Sequence, residues 1–206
     1  MYDFSISMAL VDFLPVFFFG YAAALLQRDL YNKMYKGAYA LFAAGTINVF
    51  CAGFCKALWK LLYAAGICDF SVLNTMFFPV QSIGFLLIGL GLGWMFLKKQ
   101  KSTLLLAAPP VFSGTFVFIS TMVAGLGVMS ATLCVFAAKM KKKGLIAVFA
   151  LAFVVYMGMG YMSSRDSTSA AVNWIEQGIN CLGQILLLTG IFGLHKAGLA
   201  EFDWRK

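Results

Sequence analysis

All but three of the 16 Lys and Arg residues fall in four short clusters, and long apolar stretches separate those clusters. The clusters are Arg28/Lys33/Lys36, Lys98/Lys99/Lys101, Lys139/Lys141/Lys142/Lys143 and Lys196/Arg205/Lys206. Cationic loops beside membrane-spanning helices stay on the cytoplasmic side, so the spacing reads as a topology map. Only 12% of the 206 residues are charged and 62% are hydrophobic, with a mean hydropathy of +0.86. A soluble globule could not be solvated on that composition. The net charge of +8 does not point to nucleic acid, because no basic, polar domain exists to carry it. Juxtamembrane basic loops beside anionic lipid headgroups account for it.

A crossing needs about 20 apolar residues at about 1.5 Å each. Seven segments qualify: Met8–Gln27, Gly37–Lys56 or a little beyond, Ser71–Leu97, Thr103–Ser120, Met122–Ala138, Gly144–Met162 and Ser169–Leu194. The first is too long for a signal peptide and lacks its positive start, so it reads as a helix that is kept. Residues 103–138 carry no charge and would make roughly 54 Å of helix if unbroken. Both flanking lysine clusters should be cytoplasmic, so the chain must cross an even number of times between them. A hairpin turning near Ser120–Gly127 meets that condition. The expected fold is therefore all-α: one integral membrane domain, residues 1–206, with seven transmembrane helices. Its N-terminus is outside and its C-terminus cytoplasmic, in a cell membrane. The tail from 196 to 206 is too small to be a signalling domain.

Two segments align on later ones without gaps. The stretch from Lys36 (KGAYALFAAGTINVFCAG) matches that from Lys143 (KGLIAVFALAFVVYMGMG) at six of eighteen positions. The stretch from Asn74 (NTMFFPVQSIGFLLIGLGL) matches that from Asn173 (NWIEQGINCLGQILLLTGI) at four of nineteen. The first span can be laid on the fifth, LVDFLPV on MVAGLGV. The order suggests a parallel repeat, about 8–97 and 122–195, with a linker helix at about 103–120. This 3+1+3 plan resembles the SWEET and PQ-loop sugar-transporter group. In that group an Asn three residues before a Gly faces the substrate in the third and seventh helices. Here the matching positions are Gln81 before Gly84 and Asn180 before Gly183, with Pro79 just ahead of Gln81. The Pro-Gln signature at the cytoplasmic ends of the first and fifth spans is missing. The resemblance implies transport of a small polar solute at a site between the third and last helices.

The last span carries Asn173, Glu176, Gln177, Asn180 and Gln184 on one helical face, a stripe roughly 16 Å long. Such a stripe cannot face lipid with its donors and acceptors unpaired, so it faces either other helices or a cavity. Counted inward from the outer ends, Gln81 and Asn180 fall near the midplane and Asn74 and Asn173 near the mouth. Asp12, Lys56, Lys60 and Glu176 all belong to the outer half. The inner stretches Leu86–Leu92 and Ile185–Leu188 are nearly featureless. The expected picture is a polar funnel above an apolar inner gate. Gln81, Asn180, Asn74, Asn173, Gln177, Glu176 and Gln184 are the candidate solute-binding residues. Glu176, Asp12, Lys56 and Lys60 are the candidate charge-coupling ones. The alternative for Lys56 and Lys60 is to snorkel to the headgroups. Glu176, as an intramembrane carboxylate, is a functional candidate by default. Unpaired, it suits proton coupling or cation binding; paired with Lys56 or Lys60, it suits architecture.

Prolines 15, 79, 109 and 110 should interrupt helices, and Gly89-x-x-x-Gly93 should allow close helix approach. The five cysteines, Cys51, Cys55, Cys68, Cys134 and Cys181, lack metal or redox spacing and read as buried apolar thiols, with Cys68 the most exposed. No hydrolase, zinc-protease or P-loop pattern occurs, and His195 at a helix C-terminus suits a cation there. The chain is not expected to be an enzyme or to hold a metal or cofactor, although the acids Asp12 and Glu176 could serve a lipid hydrolase. Three readings follow. The leading one is a transporter or channel for a polar small solute. The second is a seven-helix sensor or accessory subunit working with a separate partner, and the third is a membrane enzyme. A homo-oligomer or a membrane partner is compatible with each.

Overall fold

The computed structural model describes residues 4–96, 115–162 and 169–202, and these residues are helical, without strands. The helices are α1 Ile6–Val11, α2 Phe13–Leu30, α3 Lys36–Ala64, α4 Val72–Thr75, α5 Phe77–Gly93, α6 Thr115–Lys139, α7 Lys143–Met162 and α8 Ala170–Lys196. A short 3₁₀ turn, Trp94–Phe96, continues α5. The pairs α1–α2 and α4–α5 each form one column, interrupted at a single residue. Among the described residues there are thus six columns. Five are long and apolar enough to cross a membrane, and Lys143–Met159 in α7 is a shorter apolar helix.

Both interruptions have the same cause. Asp12 separates α1 from α2 and Met76 separates α4 from α5, each three residues ahead of a proline. Pro15 and Pro79 have no N–H for the carbonyl four residues back, and their rings crowd that turn. The expected breaks at Pro109 and Pro110 lie outside the described residues.

The expected hairpin turn at Ser120–Gly127 is absent. Those residues run through the middle of α6, which is continuous from Thr115 to Lys139. Twenty-five residues make roughly 37 Å of helix, enough for one crossing. The small residues that read as a turn are a packing surface: Gly125 lies against the backbone of Phe85 and Leu86, and Gly89 against Gly125. Six columns therefore stand where seven spans are expected. Thr103–Gly114, most of the fourth, lie outside the described residues.

The columns pack as a ring in the order α2, α3, α5, α6, α7, α8 and back to α2. Residue pairings give their directions. Gly20 lies on Phe50 and Gly53 on Val16, so α2 and α3 are antiparallel. Gly91 lies on Phe42 and Gly84 on Val49, so α3 and α5 are too. Phe78 meets Phe118, and Phe96 meets Phe136, so α5 and α6 run parallel. Phe96 and Thr115 therefore stand at opposite ends of the bundle. Gly190 on Phe149 and Gly183 on Tyr156 make α7 and α8 antiparallel. One end of the ring consequently gathers Arg28, Lys33, Lys36, Lys139, Lys141, Lys142, Lys143 and Lys196. We call it the basic end.

Just inside the basic end the core is closed and apolar. Phe42, Ile88, Leu92, Leu133, Phe136, Phe149, Ile191 and Leu194 are buried there. The tail folds back at Gly198, whose φ of 85° suits glycine, and this tucks Leu199 into the core. The outward surface carries exposed Phe17, Ile47, Leu90, Leu151, Val154 and Leu182. Lipid rather than water would solvate such a surface. None of the five cysteines is buried: Cys51 and Cys68 are exposed and the others intermediate. This corrects the expectation of buried thiols. Cys51 sits on the outward, apolar side of α3, where its hydrophobic character is satisfied by surroundings other than the protein core.

Gly125→Leu should lower the thermal midpoint in detergent, at a cost of about 1–3 kcal/mol from overpacking. Gly127→Leu, with nothing within 4 Å of its Cβ position, should stay within about 0.5 kcal/mol of the parent. Equal tolerance of both would contradict the α5–α6 contact.

Candidate functional site

In the half of the bundle away from the basic end, the ring does not close on its axis. A cavity of about 590 Å³ lies there, and every column contributes to its lining. Columns α2 and α3 supply Asp12, Val16, Gly53, Lys56, Ala57 and Lys60. The α4–α5 column supplies Asn74, Phe77, Phe78, Gln81 and Phe85. From α6 come Ile119, Met122, Val123 and Leu126, and from α7 Tyr156, Met157 and Met159. Helix α8 adds Glu176, Gln177, Asn180 and Gln184. Its volume is in the range of small-molecule sites. Phe85 and Leu126 form part of the floor, since both also belong to the buried core, where Phe85 packs edge-on against Phe19 at 6.3 Å between ring centres.

All the candidate residues named from the sequence line this cavity except Asn173. Asn173 is buried, and its Nδ2 donates to the Ser169 carbonyl at 3.1 Å. It sits one helical turn nearer the start of α8 than Gln177, and the same Ser169 carbonyl also accepts its backbone N–H at 3.1 Å. A residue at the mouth of the funnel is thus held in the helix end instead.

The structure turns both lysines of α3 inward, which corrects the snorkelling alternative. Lys60 Nζ lies 2.6 Å from Asp12 Oδ2, and both residues are buried. Asp12, at the interruption between α1 and α2, lines the same cavity as Lys60, and a buried cation needs a paired acid. Asp12 is thus held by a lysine of α3. Lys56 Nζ sits over the Phe77 ring, 4.1 Å from its centre, a cation–π contact. Neither lysine forms an ion pair with Glu176. Glu176 Oε1 is buried without a hydrogen-bond partner, and so is Nε2 of Gln177. Gln184 accepts a hydrogen bond from the Tyr156 hydroxyl at 3.0 Å.

The two facing walls differ at positions that align in the sequence. Where α5 presents Phe77, Phe78 and Phe85, α8 presents Glu176, Gln177 and Gln184. Gln81 and Asn180 are the matched pair at which both walls are amides. Tyr156, which the sequence reading passed over, is the polar group that α7 supplies. A tyrosine in an apolar helix reads as an interfacial anchor, and only the packing against α8 reveals its hydroxyl on Gln184.

A second polar cluster lies at the basic end and also went unseen. Asp29 is buried, and its carboxylate meets His195 Nδ1 at 2.9 and 3.0 Å. Arg28 Nη2 lies 2.8 Å from His195 Nε2. His195 does sit in the last turn of α8, as a helix-end cation would. Its partner is an acid from α2, so the group fastens two neighbouring columns. Lys33 Nζ donates to the Phe202 carbonyl at 2.6 Å and ties the tail to the same end.

No family model matches the chain, and neither does any curated protein or solved structure.

Removing one member of the Asp12–Lys60 pair leaves a buried charge alone. Asp12→Ala should cost about 3 kcal/mol of stability. The double variant Asp12→Leu with Lys60→Met should recover most of that loss in thermal unfolding. A double variant no more stable than the single one would show that the two residues are not coupled.

Proposed function

We propose that the chain is a multi-pass membrane carrier or channel for a polar small solute. The solute is held in the cavity with Gln81 and Asn180 as the facing amides. The observation that carries this reading is the ring's asymmetry along its axis. Polar side chains from separate columns converge on one hollow, and an apolar layer seals the other half. Helix-to-helix cross-linking by Asn and Gln would leave no hollow between them. Here Glu176 and Gln177 reach the cavity with buried atoms unspent, as a site awaiting a partner does.

The orientation follows from the basic end. Cationic loops are retained in the cytoplasm, so the cavity half faces outward, the N-terminus is outside and the C-terminus inside. The parallel repeat draws support from the packing. Laying α2, α3 and α5 on α6, α7 and α8 maps each neighbour pair of the ring onto another neighbour pair. Two contacts recur at aligned positions: Gly84 on Val49 with Gly183 on Tyr156, and Gly91 on Phe42 with Gly190 on Phe149. Both halves begin at the cavity end. The linking crossing of a 3+1+3 plan would fall between Phe96 and Thr115, which stand at opposite ends. These features favour the rocking-repeat arrangement of the sugar-transporter group that the chain resembles.

Proteoliposomes incubated with a mixture of hexoses, polyols, nucleosides and amino acids should accumulate at least one solute above protein-free vesicles, read by mass spectrometry. Gln81→Ala and Asn180→Ala should each reduce that uptake about tenfold, the loss of one good polar contact. Uptake indifferent to both substitutions would remove the paired-amide site. Sidedness has its own test. A variant keeping only Cys68, in the exposed turn after α3, should react with a membrane-impermeant maleimide in intact cells. Labelling only after lysis would reverse the orientation.

A further inference from the structure

The charges in the cavity are not all satisfied by one another. Asp12 and Lys60 neutralise each other at 2.6 Å. Among the described residues that leaves one cation, Lys56, which rests on an aromatic face, and one acid, Glu176, with a buried oxygen that accepts nothing. Lys56 belongs to α3 and Glu176 to α8, and α2 stands between those helices in the ring. The two groups line the same hollow without forming an ion pair. Beside Glu176, the Gln177 side chain is buried at 4% exposure, and its Nε2 has donors with no acceptor.

Charges without a direct ion-pair partner are expensive at this depth, and buried polar atoms without partners carry a desolvation cost of their own. A neutral polyol could occupy the amides but would leave both charges uncompensated. A simple cation or anion would compensate one and leave the other. A single molecule bearing both an ammonium and a carboxylate answers both at once and adds no net charge to a cavity that already balances. The remaining wall is apolar and aromatic, formed by Phe77, Phe78, Phe85, Met122 and Met157. It would cover a hydrocarbon body, beside the amides of Gln81 and Asn180.

Taking the cavity as the solute site, on which this step rests, we propose that its ligand is a small zwitterion with an apolar body. The carboxylate lies toward Lys56 and the ammonium toward Glu176. Gln177 offers a further donor to an oxygen of the ligand, and the hydrocarbon part lies along the Phe77–Phe78–Phe85 wall. Lys56 and Glu176 then act as the two specificity-determining residues, each reading one end of the ligand.

The test is direct binding to the detergent-solubilised full chain, followed by calorimetry and thermal shift. The probes are L-leucine, L-phenylalanine and 6-aminohexanoate, which bracket the spacing between the charges. Each is paired with analogues carrying one charge: isocaproate and isopentylamine, 3-phenylpropionate and phenethylamine, hexanoate and hexylamine. At least one zwitterion should bind, and its single-charge analogues should bind tenfold or more weakly. Lys56→Met and Glu176→Gln should each lower the affinity for the zwitterion by tenfold or more. The analogue comparison on the unaltered protein stands even if a variant fails to fold. Three results would overturn the proposal: no zwitterion binds, analogues bind as well as their parents, or glucose binds in preference. The vesicle experiment separates this step from the transport reading. Flux of an uncharged solute without zwitterion binding ends the former alone, and zwitterion binding without flux ends the latter alone.

Discussion

A carboxylate or an amide on a helix surrounded by apolar medium can be satisfied in one direction only, toward other helices. Helix α8 carries Glu176, Gln177, Asn180 and Gln184 along one side, so its rotation about its own axis is decided before any packing is considered. The neighbours must then accept that face. Helix α7 does so with the Tyr156 hydroxyl on Gln184, and α2 does so at the far end with Asp29 on His195. Both fastenings lie on the C-terminal side of Glu176, Gln177 and Asn180, and those three line the hollow. The hollow on the ring axis is the space that stripe requires.

Backbone defects complete the hollow. Pro15 and Pro79 interrupt the first and third columns in the half away from the basic end, where Asp12 and Phe77 line the hollow. Glycines do the opposite toward the basic end. Gly84 and Gly91 bring α5 onto α3, and Gly89 with Gly125 brings α5 onto α6. Close backbone approach there excludes any opening, and large side chains such as Phe42, Phe136 and Phe149 fill what remains. A wide polar half and a tight apolar half thus arise from the placement of two residue types that are weak helix formers.

The sequence was most legible where lipid imposes the rule. Apolar length located the helices, basic clusters located one end, and the spacing of amides on α8 located the cavity wall. It was least legible where a residue type serves two purposes. Ser120–Gly127 looked like a turn because small residues favour turns, yet small residues are also what parallel helices need to touch, and α5 and α6 use them so. Lys56 and Lys60 looked able to reach headgroups. Their inward turn depends on where Asp12 sits at the interruption before α2, and no spacing within α3 encodes that. The Asp29–His195 contact joins residues almost a full chain apart, so neither residue announces the other. The two α8 residues that matter most to the proposed ligand, Glu176 and Gln177, were visible early because adjacent polar residues in an apolar helix must face other helices or a cavity.

The repeat reading bears on how such a site could have acquired direction. If the two halves descend from one unit, the symmetric ancestor would carry like walls on α5 and α8, and a ligand would have no preferred orientation. In this chain the aligned positions differ, aromatic on α5 and polar on α8, while Gln81 and Asn180 are amides on both sides. Lys56 over Phe77 marks the same difference, since the position aligned with that ring holds Glu176 on the opposite side. A zwitterion in this hollow would meet a cation resting on the aromatic wall and an acid on the polar wall, so its two ends could not exchange places without meeting like charges, which repel. On this reading orientation comes from the breaking of the repeat at three positions, and passage depends on the intact remainder, the glycine contacts whose small side chains let one half move against the other.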